Sequence, residues 1–419
     1  MSDKSNLAQQ PHEIYIKGRL YDCSNFKHPG GSVIKFFLGS GDATEHYEEF
    51  HVKLPKADKY LSNLPSRPAP ADLATDTKEQ ARLQKLSTDF RKLRDEFVKE
   101  GLYDANWPHI IYRFFDVFLV HFIGLYLLFS VPSMWPLACL VLGVAEGRCG
   151  WWMHEAGHYS CTGIPQVDLK IQELLYGFGC GMSASWWRVQ HNKHHATPQK
   201  EHHDVDLETL PLVAFNKVIG RRGRKYPIIR WWVSVQAYFF APITCSLIAL
   251  YWQLYLHVRH ARRARRYTEQ LAILSRWAVV GLICHTLRLT VWQGLFGVLF
   301  AQAFGAAYIF VNFSLNHTHL PTLPADRHVH FVEYSSIFTM DVAPTWFVNW
   351  LMGYLNFQIE HHLFPCMPQF RFVAISPRVR KLFEDNGLTY DSRGYMDVLR
   401  ITFRNLGEVG SYMMENETK

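Results

Sequence analysis

Three short groups of histidines carry the chemistry that this sequence can do: His154-Glu-Ala-Gly-His158, His191-Asn-Lys-His194-His195 and Gln358-Ile-Glu-His361-His362. Neutral imidazole is the commonest protein metal ligand, and it suits iron, copper and zinc. On a helix, positions three or four apart share one face. His154 can therefore point with His158, and His191 with His194 and His195, while His361 and His362 offer adjacent donors. The pattern predicts a polynuclear metal site at a membrane edge. The first group also fits H-E-x-x-H, in which two histidines bind zinc and the glutamate acts as a peptidase base. Such a site needs one more protein ligand and an open water position, not five further clustered histidines.

Long apolar segments must position these groups. A span is expected over Ile110–Val131, interrupted by Arg113, Asp116 and His121; a turn follows at Pro132–Pro136, and Leu137–Met153 returns the chain. This hairpin delivers the first group to the side from which the chain entered. Trp231–Leu256 is long enough to cross about 30 Å of hydrocarbon. Trp277–Phe313 holds one span or two, with His285 and Arg288 near its middle. Between them, Arg259, Arg262, Arg263, Arg265, Arg266 and Arg276 make the most basic loop. A single crossing by Trp231–Leu256 would put that loop opposite the histidines, against the positive-inside tendency. Otherwise Trp231–Leu256 is re-entrant and Trp277–Phe313 is a hairpin. About four transmembrane helices are expected, with the histidine groups forming a cytosolic cap.

Composition agrees with a membrane protein. The mean hydropathy of −0.10 averages polar ends with apolar middle segments, and thirteen tryptophans suit interfacial belts. The net charge of +7 comes with no aromatic-interleaved basic stripe, so a nucleic-acid partner is not expected; anionic lipid head groups are. Eight cysteines without a C-x-x-C pair indicate neither a disulfide framework nor a zinc ribbon. Met1 to Gln10 is polar and lacks the apolar core of a signal peptide, so a cytosolic N-terminus is expected.

Residues 12–64 read as a small soluble domain. Glu13 to Asp22 alternates like a strand and breaks at Gly18, which predicts a hairpin. Then come His28-Pro29-Gly30-Gly31, a helical run over Ser32–Leu38, Asp42-Ala43-Thr44 and Phe50-His51. This resembles a cytochrome b5 domain, an α+β fold in which the H-P-G-G histidine is one axial haem ligand and a histidine some two dozen residues on is the other. His28 matches the first and His51 the second, with His46 as the alternative and His12 as a solvated residue. Two imidazoles leave iron no open position, which suits electron transfer. Residues 65–78 read as a proline- and alanine-rich linker. Residues 79–108 begin with Leu83, Leu86, Phe90, Leu93 and Phe97 at steps of three and four, an amphipathic docking helix. Residues 109–405 form the membrane domain, and 406–419 read as a polar tail.

The third group, Gly353-Tyr-Leu-Asn-Phe-Gln358-Ile-Glu-His361-His362-Leu-Phe-Pro, is preceded by Asn316-His317-Thr-His319. With H-P-G-G upstream, the chain resembles membrane fatty acyl desaturases of the front-end type, over essentially residues 13–405. Stretches such as Gly147-Arg-Cys-Gly-Trp151 and Cys180-Gly-Met-Ser183 resemble the delta-5 members from marine microalgae and thraustochytrids. The resemblance implies a di-iron centre on His154, His158, His191, His194, His195, His361 and His362. It implies one further ligand, for which His317 is the best match and His319 the competitor. Gln358 stands where other desaturases carry histidine. Glu155 and Glu360 are expected in supporting roles, Asp204 and Asp206 could orient histidines, and Trp186 and Trp187 could line a substrate channel. The implied reaction inserts a cis double bond into a fatty acyl chain on coenzyme A or phospholipid, at the endoplasmic reticulum. It uses dioxygen, two non-haem irons, haem b, and electrons from an NADH-cytochrome b5 reductase, since the chain has no G-x-G-x-x-G loop of its own. A tether would raise effective concentration without a tight interface. The alternatives are delta-6, delta-8 or delta-4 selectivity, a sphingolipid long-chain-base desaturase, and a haem electron carrier with inactive boxes.

Overall fold

A computed structural model describes residues 9–70 and 77–415. Strands β1 (Glu13–Ile16) and β2 (Arg19–Asp22) form the expected hairpin, turning through Lys17 and Gly18, both at positive φ. Gly18 takes that conformation without strain. Helices α1 (Thr44–His51) and α2 (Lys56–Ser62) follow, and then β3 (Ser66–Pro68) pairs antiparallel with β2. The linker expected from residue 65 is therefore corrected: its first residues close the sheet, and Arg67 holds Glu13 of β1 through two hydrogen bonds of 2.8 and 2.7 Å. Three residues are too few for an alternation to show. Most of the remaining linker, and the N-terminal residues 1–8, lie outside the described residues.

Helix α3 (Thr77–Lys99) lies on the membrane domain rather than on lipid. Its buried Phe90 stacks 5.4 Å from Phe364, and Phe97 meets the same ring at 5.2 Å. Helices α4 (Trp107–Ser130) and α5 (Trp135–Gly157) make the first hairpin. The charges that interrupt the first apolar run are paired here: Arg148 bonds Asp116 and lies over the Trp350 ring at 4.9 Å, while Arg113 faces Glu155 at 3.7 Å. Burying such charges costs less when each has a partner. Outward, Phe114, Phe115, Phe118 and Phe122 leave one face of α4 apolar and exposed.

Helices α6 (Pro165–Leu174) and α7 (Ala184–Ala196) carry the chain past the histidine face, and α8 (Lys217–Gly223) and α9 (Pro227–Ser234) lead to a long helix α10 (Gln236–Arg263). The span expected over Trp231–Leu256 is thus displaced: the chain breaks at Val235, and α10 continues through Arg259 and Arg263. Both ends of α10 meet the histidine-bearing side. The Gln236 side chain is bonded to Ala214 and to the Leu406 carbonyl; at the other end His257 accepts from the Ser183 amide at 2.9 Å. One turn before His257, Gln253 donates to Glu146 of α5 at 3.1 Å. Trp277–Phe313 is two helices, α11 (Tyr267–Thr286) and α12 (Val291–Ser314), with Arg288 in the connection. Of the described helices, α4, α10 and α12 are long and apolar enough to cross a membrane.

The cap beyond α12 contains α13 (Phe331–Phe338), strand β4 (Asp341–Val342), α14 (Trp346–Leu351), α15 (Gln358–Leu363) and α16 (Phe372–Asp385). Strand β5 (Ser392–Arg393) pairs with β4, and α17 (Tyr395–Met414) ends the described chain. The polar tail expected from residue 406 is corrected as well. Val398, Thr402, Leu406, Val409 and Met413 form a buried stripe at helical spacing, and only residues 416–419 lie outside the description.

Candidate metal centre

The histidines converge because four elements end at one place. His154 is in the last turn of α5 and His158 just follows it; His191, His194 and His195 line the last turns of α7; His317 follows α12; His361 and His362 lie on α15. Helix α7 is fixed at its start by Glu269 of α11, whose carboxylate accepts from the Ser185 amide at 3.0 Å and from the Ser183 hydroxyl. All eight histidines are buried. Their donor nitrogens fall into two groups, His154-His158-His191-His195-His361 and His194-His317-His362, with the atoms of each within 4.8 Å of one another. The groups abut, since His195 stacks on His362 at 4.2 Å.

Hydrogen bonds outside the groups fix which nitrogen faces inward. His194 donates Nδ1–H to Asp204 at 3.0 Å, and His317 donates Nδ1–H to the Phe338 carbonyl at 2.9 Å, which turns each Nε2 inward, although that of His317 accepts from Gln358 until a metal displaces it. Gln369, which the sequence reading passed over, lies 2.9 Å from His154 Nδ1, and with its amide oxygen turned inward it accepts that proton. The inward nitrogens of His154, His158, His361 and His362 have no partner among the described residues, and buried polar atoms left that way are costly. A pair of metal ions fits this donor set. Burial, reinforced by the neighbouring imidazoles, holds His191, His195, His361 and His362 well below the ordinary histidine range, so they are neutral donors. For His194 burial works in the same direction, but Asp204 and Asp206 outweigh it and push the group up to about 9.

The other singled-out residues separate by position. Gln358 donates to His317 Nε2 at 2.9 Å, at the rim of the three-histidine group. His319 points away, 3.1 Å from the Met340 sulfur, and Asn316 donates to the Met340 carbonyl. Glu155 accepts from the Gln369 amide, and Glu360 accepts from Tyr390 at 2.7 Å, so neither faces the donors. Trp187 stacks on His191 at 4.1 Å, and Trp186 packs on His257 at 4.3 Å. Both line a cavity of about 910 Å³ that His191, His194 and His317 also border and that runs to Phe310 of α12 and Glu146 of α5. That size suits a small-molecule site.

In the N-terminal domain, His28 and His51 face each other with ring centres 5.9 Å apart. Two metal–nitrogen bonds of about 2 Å plus the ring radii require nearly that separation. His51 donates Nδ1–H to the Tyr47 carbonyl at 2.8 Å, leaving Nε2 for iron. His46, the alternative, instead packs on Phe37 and Phe331, each at 4.6 Å. The tether expected to work without a tight interface is not what the fold provides. Glu49 of α1 is buried between Arg94 and Tyr103 at 2.5 and 2.8 Å, and Glu45 holds Arg91 at 3.0 Å.

The family model for fatty acid desaturases matches residues 130–394, and that for the cytochrome b5-like haem/steroid-binding domain matches residues 4–66. An acyl-lipid (8-3)-desaturase of Rebecca salina is 46% identical, covering 95% of this chain and 91% of its own. An acyl-lipid (8-3)-desaturase of a Thraustochytrium species is 43% identical over 95% and 92% of the two chains. A delta(8)-fatty-acid desaturase of Arabidopsis thaliana is 30% identical over 94% and 88%. With its buried histidine groups beside an apolar cavity and a haem-binding domain docked against them, this chain belongs to the fatty acid desaturase family, in which it carries an N-terminal cytochrome b5 domain.

Proposed function

We propose that the chain is a front-end acyl-lipid desaturase that inserts one cis double bond into a polyunsaturated acyl chain, at the delta-5 position. Electrons reach two non-haem irons through haem b in its own N-terminal domain, from an NADH-dependent reductase. One observation carries the reading: eight buried histidines lie in a group of five and a group of three, and His191, His194 and His317 of these groups border the cavity of about 910 Å³. Bound iron would supply the oxygen activation that an unactivated methylene demands. The chain's own residues do the rest. His28 and His51 would hold the haem, and the eight histidines would hold the ions. Asp204, the Phe338 carbonyl and Gln369 set the tautomers of His194, His317 and His154. Trp187, Phe310 and Phe313 give the acyl chain an apolar wall and keep water from the centre.

The contacts support one membrane arrangement. In this reading helices α4, α5, α11 and α12 cross and α10 lies along the histidine side, with the arginines of 259–266 at the cytosolic face of the endoplasmic reticulum. Selectivity follows the relatives: identity of 46% and 43% to the two (8-3)-desaturases, against 30% to the delta(8) enzyme, argues against delta-8 insertion here. The test is the fatty-acid profile of yeast expressing the chain and fed di-homo-gamma-linolenic or linoleic acid. New arachidonic acid is the expected product. Gamma-linolenic acid instead would make it a delta-6 enzyme, and a modified sphingoid base a sphingolipid desaturase. No product from any of these, with haem and iron both bound, would overturn the reading.

A further inference from the structure

The haem domain is seated by the helix that carries its second axial histidine. On α1, Glu45 and Glu49 point to Arg91 and Arg94 of α3, while His51 points to His28. Phe50, next to His51 in the chain, points a third way. Its ring meets His195 of the five-histidine group edge to face, with centres 6.2 Å apart and planes at 82°. A second contact seats the same face, where Phe36 stacks on His203 at 4.3 Å with planes 6° apart. Successive residues on a helix point about 100° apart, so one helix can present a clamp, a haem ligand and a bridge in different directions.

Electron tunnelling weakens steeply with distance, and faster across gaps than through bonded or packed atoms. From His51 the path to His195 needs one peptide unit and one aromatic contact. We infer that Phe50 is the bridge through which electrons leave the haem pocket for the metal centre, with the Glu45–Arg91 and Glu49–Arg94 pairs holding it in place; this rests on the desaturase reading. Each passage oxidises ferrous haem to ferric and reduces the metal centre by one electron. Two electrons, two protons and one dioxygen balance the loss of two hydrogens from –CH2–CH2– to –CH=CH– with the release of two waters.

Phe50 touches neither substrate nor the reacting atoms, so the test reads transfer rather than product. In the full-length holoenzyme, oxidised and anaerobic, a ruthenium photoreductant with a sacrificial amine donor reduces the haem in a flash. Absorbance then follows haem reoxidation as the electron moves on, with an iron-stripped sample as control. Phe50→Leu should slow this step by roughly tenfold, a rate loss far larger than loss of one apolar contact elsewhere would bring. Its haem spectrum and midpoint potential should be unchanged, and Phe50→Tyr should keep the wild-type rate. Arg91→Glu with Arg94→Glu leaves Phe50 intact but sets like charges against the clamp, and should slow the same step. Wild-type rates in Phe50→Leu, or in the double variant, would overturn the bridge while leaving the desaturase reading standing. Iron-independent haem kinetics in the wild-type protein would overturn that reading and the bridge with it.

Discussion

Asp204 shows how one side chain outside the donor set governs it. Its carboxylate holds His194 Nδ1–H at 3.0 Å and also accepts from the Gln199 and Asp206 amides at 2.8 and 2.9 Å. Asp204→Ala should weaken metal retention by about 10- to 100-fold, the usual result of losing such a partner. Iron analysis after dialysis checks this, and the haem spectrum should be untouched because Asp204 is bonded to His194, Gln199 and Asp206 rather than to either haem-domain histidine. The sequence singled out Asp204 from its place behind the second histidine group. It ranked His317 above His319 by resemblance alone, because the bond that fixes His317, to the Phe338 carbonyl, spans 21 residues and leaves no local spacing. Gln369 escaped for the same reason: it is bonded to His154 across 215 positions of chain.

Elements were legible where they carry long periodic patterns and hidden where they are short or defined by a partner. The stripe of α3 and the hairpin turning at Gly18 could be read directly, whereas β3 could not, and its hold depends on Arg67 and Glu13. The bond from Arg67 lowers the Glu13 carboxyl below its ordinary value of 4.5, overcoming the opposing effect of burial. A depressed carboxyl contributes stability above its unfolded value that is lost as pH falls through the folded one. Thermal unfolding of the haem domain should therefore shift down as pH drops below 4.5, and Glu13→Gln should flatten that dependence. If both proteins respond alike, the pair does not tie β3 to the sheet. Glycines are the other case. Gly147 and Gly150 entered the sequence reading only within a stretch of resemblance, and Gly143 not at all; packing against α12 explains all three. A Cβ on Gly143 would stand 2.5 Å from the Ala301 carbonyl oxygen, so the helices touch through backbone. Gly143→Ala should cost about 1–3 kcal/mol, as other overpacked contacts do, and should lower the thermal midpoint of the detergent-solubilised protein.

At the scale of the whole molecule, the parts were legible and their mutual placement was not. Two domains could be read from H-P-G-G and the histidine groups, but nothing local says that α1 is clamped to α3 by buried ion pairs. The basic stretch posed the sharpest ambiguity, and long-range contacts address it. Helices α5 and α12 run the same way, from the Cys139–Gly297 contact toward Trp151 and Phe313, which stack at 5.3 Å near the histidines. Helix α11 starts on the histidine side, where Glu269 meets Ser185, and leaves it toward the Cys284–Gly294 contact. Helix α10 packs beside Glu146 and Phe310, where Trp252 meets the Phe310 ring at 5.3 Å, and its two ends bond Leu406 and Ser183. The proposed four crossings would place residues 131–134 and 287–290 on one face, with Ala264–Arg266 and the histidines on the other. Single cysteines introduced at Ser133, Arg265 and Thr290 of a cysteine-free background test this in sealed microsomes with a membrane-impermeant maleimide. Arg265→Cys should label from the cytosolic side, and Ser133→Cys and Thr290→Cys only after the membrane is opened. Labelling of Arg265→Cys from the lumen alone would mean that α10 crosses after all, and that the arginines sit against the positive-inside tendency.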